Sequence, residues 1–382
     1  MSDVPFVLPD EYNELRASVR RLAEEAIAPN AAECDEREEY PWASWKAWQT
    51  AGFAGLAFPE EYGGQGGGSL AHAIAIEEVA RVCASSSIFA FISKLGMTAL
   101  LDNGSDELKR RYVPRVASGE CQASYCLSEA GAGSDVASMT TRAVRDGDHY
   151  VLNGRKMWIT NAGVSDFYSV FAKTDPDAGH RGISAFVVER GFPGFSVGKL
   201  EHKLGVRGSP TGEILLDDCA VPASNLIGEE HRGFYYAMGA LDRSRPLVGA
   251  QALGIATGAL ELAVNYVGER RQFDRAIAEF QGVKFMLADL AAQIDAARLL
   301  VYRACSLLDH GLPGTGSASA TAKMFASDTA MRVTTDCVQL LGGAGYTRDF
   351  AAERMMRDAK ITQIYEGTNQ IQRIVIAKHL LG

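Results

Sequence analysis

Apolar residues recur with two different periods along this chain. Leu15, Val19, Leu22 and Ala26 repeat at three- and four-residue spacing, which predicts a helix. Pro9 and Asp10 supply its start, and Pro29 lies just past its end. PEEYGGQGGGS (59–69) is too glycine-rich to be helical and separates this helix from helix-like runs between Leu70 and Ala117. From about residue 121 the period shortens. YVLNGRKMWIT, FYSVFAKT, GISAFVVER, GFSVGKL and EILLDDCAV read as short strands, and Asn153-Gly154 reads as a hairpin turn inside the first. These strands imply a small β-barrel or sandwich rather than a βαβ array. After about residue 233 the helical period returns. Leu287, Leu290, Ile294, Ala297, Val301, Ala304 and Leu308 form one apolar stripe, preceded by a stretch rich in small residues from Gly249 to Ala259. Long helices with short breaks suggest a bundle. The expected fold is therefore α+β and mostly α. It has an N-terminal helical domain (1–120), a middle β-domain (121–232) and a C-terminal bundle (233–382).

Composition narrows the function classes. At 382 residues, with 47% hydrophobic and 22% charged residues, the chain has an ordinary globular composition. A net charge of −9 and no Lys/Arg-rich block argue against nucleic acid as a partner. MSDVPFVLPDEYNEL lacks a secretory signal pattern. The most apolar run, SSSIFAFISKLGMTALL, is broken by Lys94 and Gly96, so no membrane span is expected. Seven cysteines without CxxC and seven histidines without HExxH point to no metal site and no disulfide framework, and they fit a reducing cytoplasm.

Five stretches can carry chemistry. In YCLSEAGAGSDVAS (125–138), glycines free backbone amides to face an oxygen-rich ligand, though a plain turn has the same composition. No GxGxxG lies between a strand and a helix, and no GKS/GKT occurs, so neither a Rossmann fingerprint nor a P-loop is present. In KMWITNAG (156–163), Trp158 and Thr160 share one strand face and can hold a flat polar ring, or Trp158 can fill a core. ERRQFDRAIAEFQ (269–281) offers Arg270 to a phosphate and Phe273 for stacking, or is a solvated helix end. In QLLGGAGYTRDFAAERMMRD, glycines permit close backbone approach, and Arg354, Arg357 and Asp358 can form an ion network on one helix face. In QIYEGTNQIQR (363–373), Gly367 fits the end of one helix. Asn369 can cap the next, with Gln372 in capping-box spacing. That junction exposes a helix N-terminus suited to phosphate, and Glu366 lies just before it.

PEEYGG, CLSEAGAGSD, KMWITN, KLGVRGSPT, ERRQF…FQ, QLLGGAGY and IYEGT follow one another in the order and approximate spacing of one family. The chain resembles the FAD-dependent acyl-CoA dehydrogenases over essentially its whole length. The resemblance implies an N-terminal helical domain, a middle β-domain and a C-terminal four-helix bundle, assembled as a homotetramer built from two dimers. It implies that Tyr125, Cys126, Leu127, Ser128, Gly133, Ser134, Trp158, Ile159 and Thr160 hold the flavin ring. Thr368 and Gln370 would meet the pyrophosphate. Arg270, Phe273, Gln281, Gln339, Leu340, Gly342 and Gly343 would reach the FAD of a neighbouring subunit. Ser134, Asp242, Arg245 and Gly367 would touch the acyl-CoA.

Glu366 matches the family's catalytic base. In some branches the base lies instead on the helix carrying DRSRP, where this chain has Ser244, which cannot serve as a carboxylate base. The implied reaction removes the α-proton to Glu366 and the β-hydrogen to flavin N5. It yields a trans-2-enoyl-CoA, and an electron-transfer flavoprotein takes the electrons. One departure is Asp274, where most relatives have glycine; it is expected to face solvent. Phe89, Phe91, Ile92, Leu95 and Gly96 either shape the floor of an acyl pocket or are ordinary core. Straight short-to-medium acyl chains are expected. The alternatives are an acyl-CoA oxidase, a dehydrogenase of carrier-protein-bound thioesters, and a catalytically silent binding protein. The missing extra C-terminal domain argues against the oxidase.

Overall fold

The structure is a computed structural model and describes residues 7–382. The N-terminal helices are α1 (Asp10–Leu22), α2 (Ala31–Arg37), α3 (Trp42–Thr50), α4 (Gly68–Ala80), α5 (Ala84–Asn103) and α6 (Asp106–Ala117). Local signals place several of their ends. Ser105 caps α6 by accepting the Leu108 amide at 3.2 Å, with Asp106 and Glu107 in the first turn favouring the positive end of the helix dipole. The helical run begun by α1 continues through Ile27 as one wider turn, reaching the proline signal at Pro29.

Seven strands follow: β1 (Ala123–Cys126), β2 (Arg142–Asp146), β3 (His149–Thr160), β4 (Phe167–Lys173), β5 (Ile183–Glu189), β6 (Phe195–Leu200) and β7 (Thr211–Pro222). They form one sheet in the order β1-β4-β2-β3-β7-β6, with β5 also on β4. Its inner residues, among them Tyr150, Leu152, Tyr168, Val170, Phe186 and Leu216, make a separate apolar core.

The expected hairpin at Asn153-Gly154 is not a turn. β3 runs straight through it, and a bulge against β7 lies there instead. Gly154 is required because a methyl group would stand 2.5 Å from Thr141 Oγ1. Asn153 exchanges hydrogen bonds with Asp218 on β7 at 2.8 and 3.0 Å. The chain reverses at Gly147, between β2 and β3. The short strands β1 and β2 carry little alternation and were not anticipated.

The C-terminal helices are α7 (Gly233–Glu269), α8 (Gln281–Asp309), α9 (Thr315–Leu341), α10 (Ala352–Ile361) and α11 (Asn369–Leu381). Leu290, Ile294, Ala297, Val301 and Ala304 of α8 are buried, as the stripe predicts. The small residues of α7 let α4 approach. A methyl at Gly254 would stand 2.2 Å from the Glu77 carbonyl oxygen, and one at Gly258 2.0 Å from that of Arg81. Here α5 and α7 are long and apolar enough to cross a membrane, contrary to the reading of the broken run, but 83% and 72% of their apolar windows are buried inside the protein.

The ion network around α10 is not confined to one helix face. Arg357 pairs with Glu353 at 2.6 Å on its own helix and with Asp35 of α2, also at 2.6 Å. Asp358 is buried and accepts the Val206 amide at 2.5 Å, and burial pushes its carboxyl up to about 7. The KLGVRG loop is thereby wedged between the N- and C-terminal helices; a methyl at Gly205 would meet the Arg357 backbone at 2.4 Å.

Candidate active site

Seven non-helical residues, 362–368, separate α10 from α11, and Glu366 lies among them. The helix before the junction ends at Ile361, so Gly367 is not its closing residue. Thr368, not Asn369, caps α11, accepting the Ile371 amide at 3.3 Å. Gln372 reaches back instead to the carbonyl of Gly367 at 2.8 Å. The capping-box spacing thus serves the crossover, because Asn369 is drawn inward to Ser327 and Asp328 on α9.

Glu366 and Gly367 are both at positive φ, +53° and +93°. Glycine tolerates that region, whereas a glutamate pays for it in strain, so the surroundings must hold it there. The turn aims the Glu366 carboxylate at Ser244 of α7, whose hydroxyl donates to Oε2. Lys323 of α9 is fully buried and donates to the Gly367 carbonyl at 2.8 Å and to Asn369 Oδ1 at 2.9 Å.

Loss of water raises the Glu366 carboxyl to about 7, against the opposing pull of the Ser244 hydroxyl and of the cations Lys323 and Arg245. Burial likewise pulls Lys323 down to about 7. Arg245 is buried and pairs with Asp242, leaving its Nε without a partner among the described residues. Tyr125 of β1 donates to the Ala237 carbonyl of α7 at 3.1 Å, and Glu366 is near enough to help burial raise its phenol. The amides of Glu366, Gly367 and Thr368 find no acceptor among the described residues. Sheet, bundle and crossover therefore converge on one carboxylate.

Beside this centre, β1 and its following loop meet the end of β3. The Met157 amide donates to the Ser128 carbonyl at 2.9 Å, and the Ser124 hydroxyl donates to the Thr160 carbonyl at 2.6 Å. Tyr125 and Cys126 lie in β1, and Leu127, Ser128, Gly133 and Ser134 follow it. Trp158, Ile159 and Thr160 alternate exposed, buried and half-buried, so Trp158 and Thr160 do share a face. Trp158 is 50% exposed at φ +58°, next to a bulge between Lys156 and Ile159. It does not fill the sheet core.

The remaining positions lie elsewhere. Arg270 ends α7, Phe273 sits 87% exposed in the hairpin that follows, and Gln281 begins α8. The 25 residues from Arg245 to Arg270 put them roughly 38 Å along the helix from Glu366's partners. Gln339 and Leu340 end α9, and Gly342 and Gly343 form the next turn, about 25 Å from Lys323 on the same estimate. Asp274 is exposed. Phe89, Phe91, Ile92, Leu95 and Gly96 are all buried; Phe89 packs on Trp45 with ring centroids 5.5 Å apart, and the α5 face at Gly96 presses on β1.

Comparison with known proteins agrees with this architecture. The description "Acyl-CoA dehydrogenase, N-terminal domain" matches residues 9–120, the middle domain 124–219 and the C-terminal domain 231–381. The chain belongs to the acyl-CoA dehydrogenase family. It is 54% identical over 376 residues to the probable acyl-CoA dehydrogenase FadE25 of Mycobacterium tuberculosis, covering 98% of this chain and 97% of the relative. A solved butyryl-CoA dehydrogenase from Megasphaera elsdenii superposes with a TM-score of 0.97 at 41% identity, covering 99% of this chain and 100% of that one. A structure described under the electron transferring flavoprotein of Acidaminococcus fermentans matches with a TM-score of 0.97 at 46% identity, with the same coverage. Acyl-CoA dehydrogenases are FAD-dependent flavoproteins and oxidoreductases acting on a CH–CH group.

The residues present fit that cofactor. An exposed indole, free amides and the open loop at Gly131 and Gly133, where an added methyl would meet nothing within 4 Å, suit a flavin ring. Arg270 is an exposed cation without an ion-pair partner among the described residues, beside exposed Phe273. That pair suits the nucleotide end.

Four side chains in and beside the site are not legible in the sequence. Ser244 cannot serve as a base, yet its hydroxyl donates to the base candidate. Lys323 stands on the buried face of α9 between Ala320 and Ser327, and a lone lysine in an apolar stripe was the available signal. Glu129 and Lys156 form a buried ion pair at 2.9 Å beneath the loop that follows β1. Glu129 also accepts from the Thr140 and Thr141 amides and hydroxyls.

Proposed function

We propose that the protein dehydrogenates a saturated acyl-CoA thioester between Cα and Cβ to a trans-2-enoyl-CoA, with Glu366 removing the α-proton. The observation that carries this reading is a carboxylate held at the meeting point of β1, α7 and α9, with its pKa lifted to about 7 and its own backbone N–H free. A base that titrates near neutral pH is well matched to proton transfer from a weak carbon acid. The free Glu366 N–H can donate to the thioester carbonyl as negative charge grows there. Arg245 and Asp242 line the approach to Glu366, and they contact the acyl-CoA together with Ser134 and Gly367. Bound FAD supplies the acceptor for the β-hydrogen; Tyr125–Ser134, Trp158–Thr160, Thr368 and Gln370 hold it from this chain.

Arg270, Phe273, Gln281 and Gln339–Gly343 lie too far from Glu366 to serve the same cofactor end. The exposure of Arg270, Phe273, Gln281, Gln339, Gly342 and Gly343 supports a role toward a second copy, within a homotetramer of subunits whose three domains divide near residues 120 and 232, whereas Leu340 and Leu341 between them are buried. Similarity to a butyryl-CoA dehydrogenase supports short straight acyl chains, and similarity to the Acidaminococcus structure supports an electron-transfer flavoprotein as acceptor. A cytoplasmic location is consistent with this reading.

Anaerobic titration with acyl-CoAs of increasing length tests it. The yellow flavin band is expected to bleach with short chains, and Glu366→Gln is expected to keep the band but lose the bleaching. Normal turnover by Glu366→Gln would refute the base assignment.

A further inference from the structure

We infer that Lys323 is a positioning residue for Glu366: its buried ammonium clamps the C-terminal end of the crossover that carries the carboxylate and sets a positive charge on the same side of the site. This rests on Glu366 being the base.

The geometry has two parts. First, Lys323 Nζ joins two points at the C-terminal end of the crossover, the Gly367 carbonyl within it at 2.8 Å and Asn369 Oδ1 at the start of α11 at 2.9 Å. Asn369 is itself fixed to α9 through Ser327 at 2.9 Å and Asp328 at 2.7 Å. Two consecutive residues at positive φ, the first not glycine, need such ties to persist. A buried ammonium with two short acceptors, one of them the carbonyl next to Glu366, meets that need from a rigid 27-residue helix.

Second, a charge buried in this way is costly unless an opposite charge is near. The charged and titratable groups around the crossover are Asp242 and Arg245 from α7, Lys323 and Asp328 from α9, Asp358 and Lys360 from α10, Arg373 from α11, Tyr125 from β1, and Tyr365 beside Glu366. Asp242 is engaged with Arg245, and Asp328 with Arg373 and the Asn369 and Gln363 amides. Both tyrosines are pushed up and stay neutral. Among charged groups, Glu366 contributes the largest negative charge acting on Lys323, and Lys323 the largest positive charge acting on Glu366. Loss of the Lys323 charge therefore moves the Glu366 carboxyl upward.

Clamp and charge can be separated in the FAD-loaded enzyme. Lys323→Met removes both. Its kcat at pH 7 is expected to fall about tenfold or more, and the acidic limb of its pH–kcat profile to move up by roughly one unit, with flavin absorbance per protein unchanged. Asn369→Ala removes one acceptor and keeps the cation. Its kcat is expected to drop severalfold at every pH, with the acidic limb unmoved. A flavin-loaded Lys323→Met with the wild-type profile overturns the inference. Should Lys323→Met fail to fold, wild-type kcat in Asn369→Ala overturns the clamp. Glu366→Gln run alongside distinguishes the failures: if it is inactive while both other variants behave as wild type, only the Lys323 inference is lost; if it turns over normally, the base assignment falls as well.

Discussion

Ser244 of α7 donates a hydrogen bond to the carboxylate of Glu366, 122 positions later in the chain. The bond favours the ionised carboxylate and so works against the burial that raises its pKa. The site thus balances two opposing effects on one carboxyl.

Ser244→Ala removes one side of that balance. A hydrogen bond to a charged group is worth about 1.5–3 kcal/mol, and one pKa unit corresponds to about 1.4 kcal/mol, so the Glu366 carboxyl is expected to rise roughly one to two units above about 7. Activity at pH 7 falls, and most of it returns near the alkaline end of the profile. The pH dependence of kcat checks this, and an unmoved acidic limb would contradict it.

Glu129 and Lys156 tie the loop after β1 to β3 by a buried ion pair. Lys156→Met leaves the Glu129 charge without its partner and is expected to cost roughly 3–5 kcal/mol of stability, seen as a lower Tm. The pair also makes a pH prediction. Although burial acts to raise it, Lys156 and the Thr140 and Thr141 donors hold the Glu129 carboxyl at about 2, below its ordinary 4.5. The folded state therefore favours the ionised form. Its stabilisation is complete above about pH 4.5 and is lost as pH falls toward 2. Scanning calorimetry from pH 7 to 3 should show Glu129→Gln losing less Tm across the acid range than the wild type, from a lower starting value.

Trp158 stands half-exposed at positive φ near the end of β3, whereas Trp42, Trp45 and Trp48 all belong to α3. Adding FAD to the apoprotein is expected to quench tryptophan emission, and Trp158→Phe to lose most of that quenching. Unchanged quenching in Trp158→Phe would remove Trp158 from the flavin contact.

The order of elements was legible because it depends on local spacing. The α8 stripe follows from a 3.6-residue period, and the strands β3 to β7 from short β-prone runs bounded by turn residues, each within a single segment. Local rules misled where a long-range partner outweighed them. Asn153-Gly154 has the chemistry of a hairpin turn, but Asp218 on β7 and the closeness of Thr141 make it a bulge in an unbroken strand. Asn369 has the chemistry of a helix cap, but contacts with α9 draw it inward and leave the cap to Thr368.

The sequence by itself determined the kind of protein this is: its succession of helices and strands, its ordered motifs, and Glu366 as the carboxylate to follow. Only the tertiary structure decided what surrounds that carboxylate. Ser244, Lys323 and Tyr125 come from α7, α9 and β1, and nothing in the local pattern of any of the three announces the others. A pKa is set by burial and by neighbours in space, and those exist only once the sheet and the two helices have packed around the crossover.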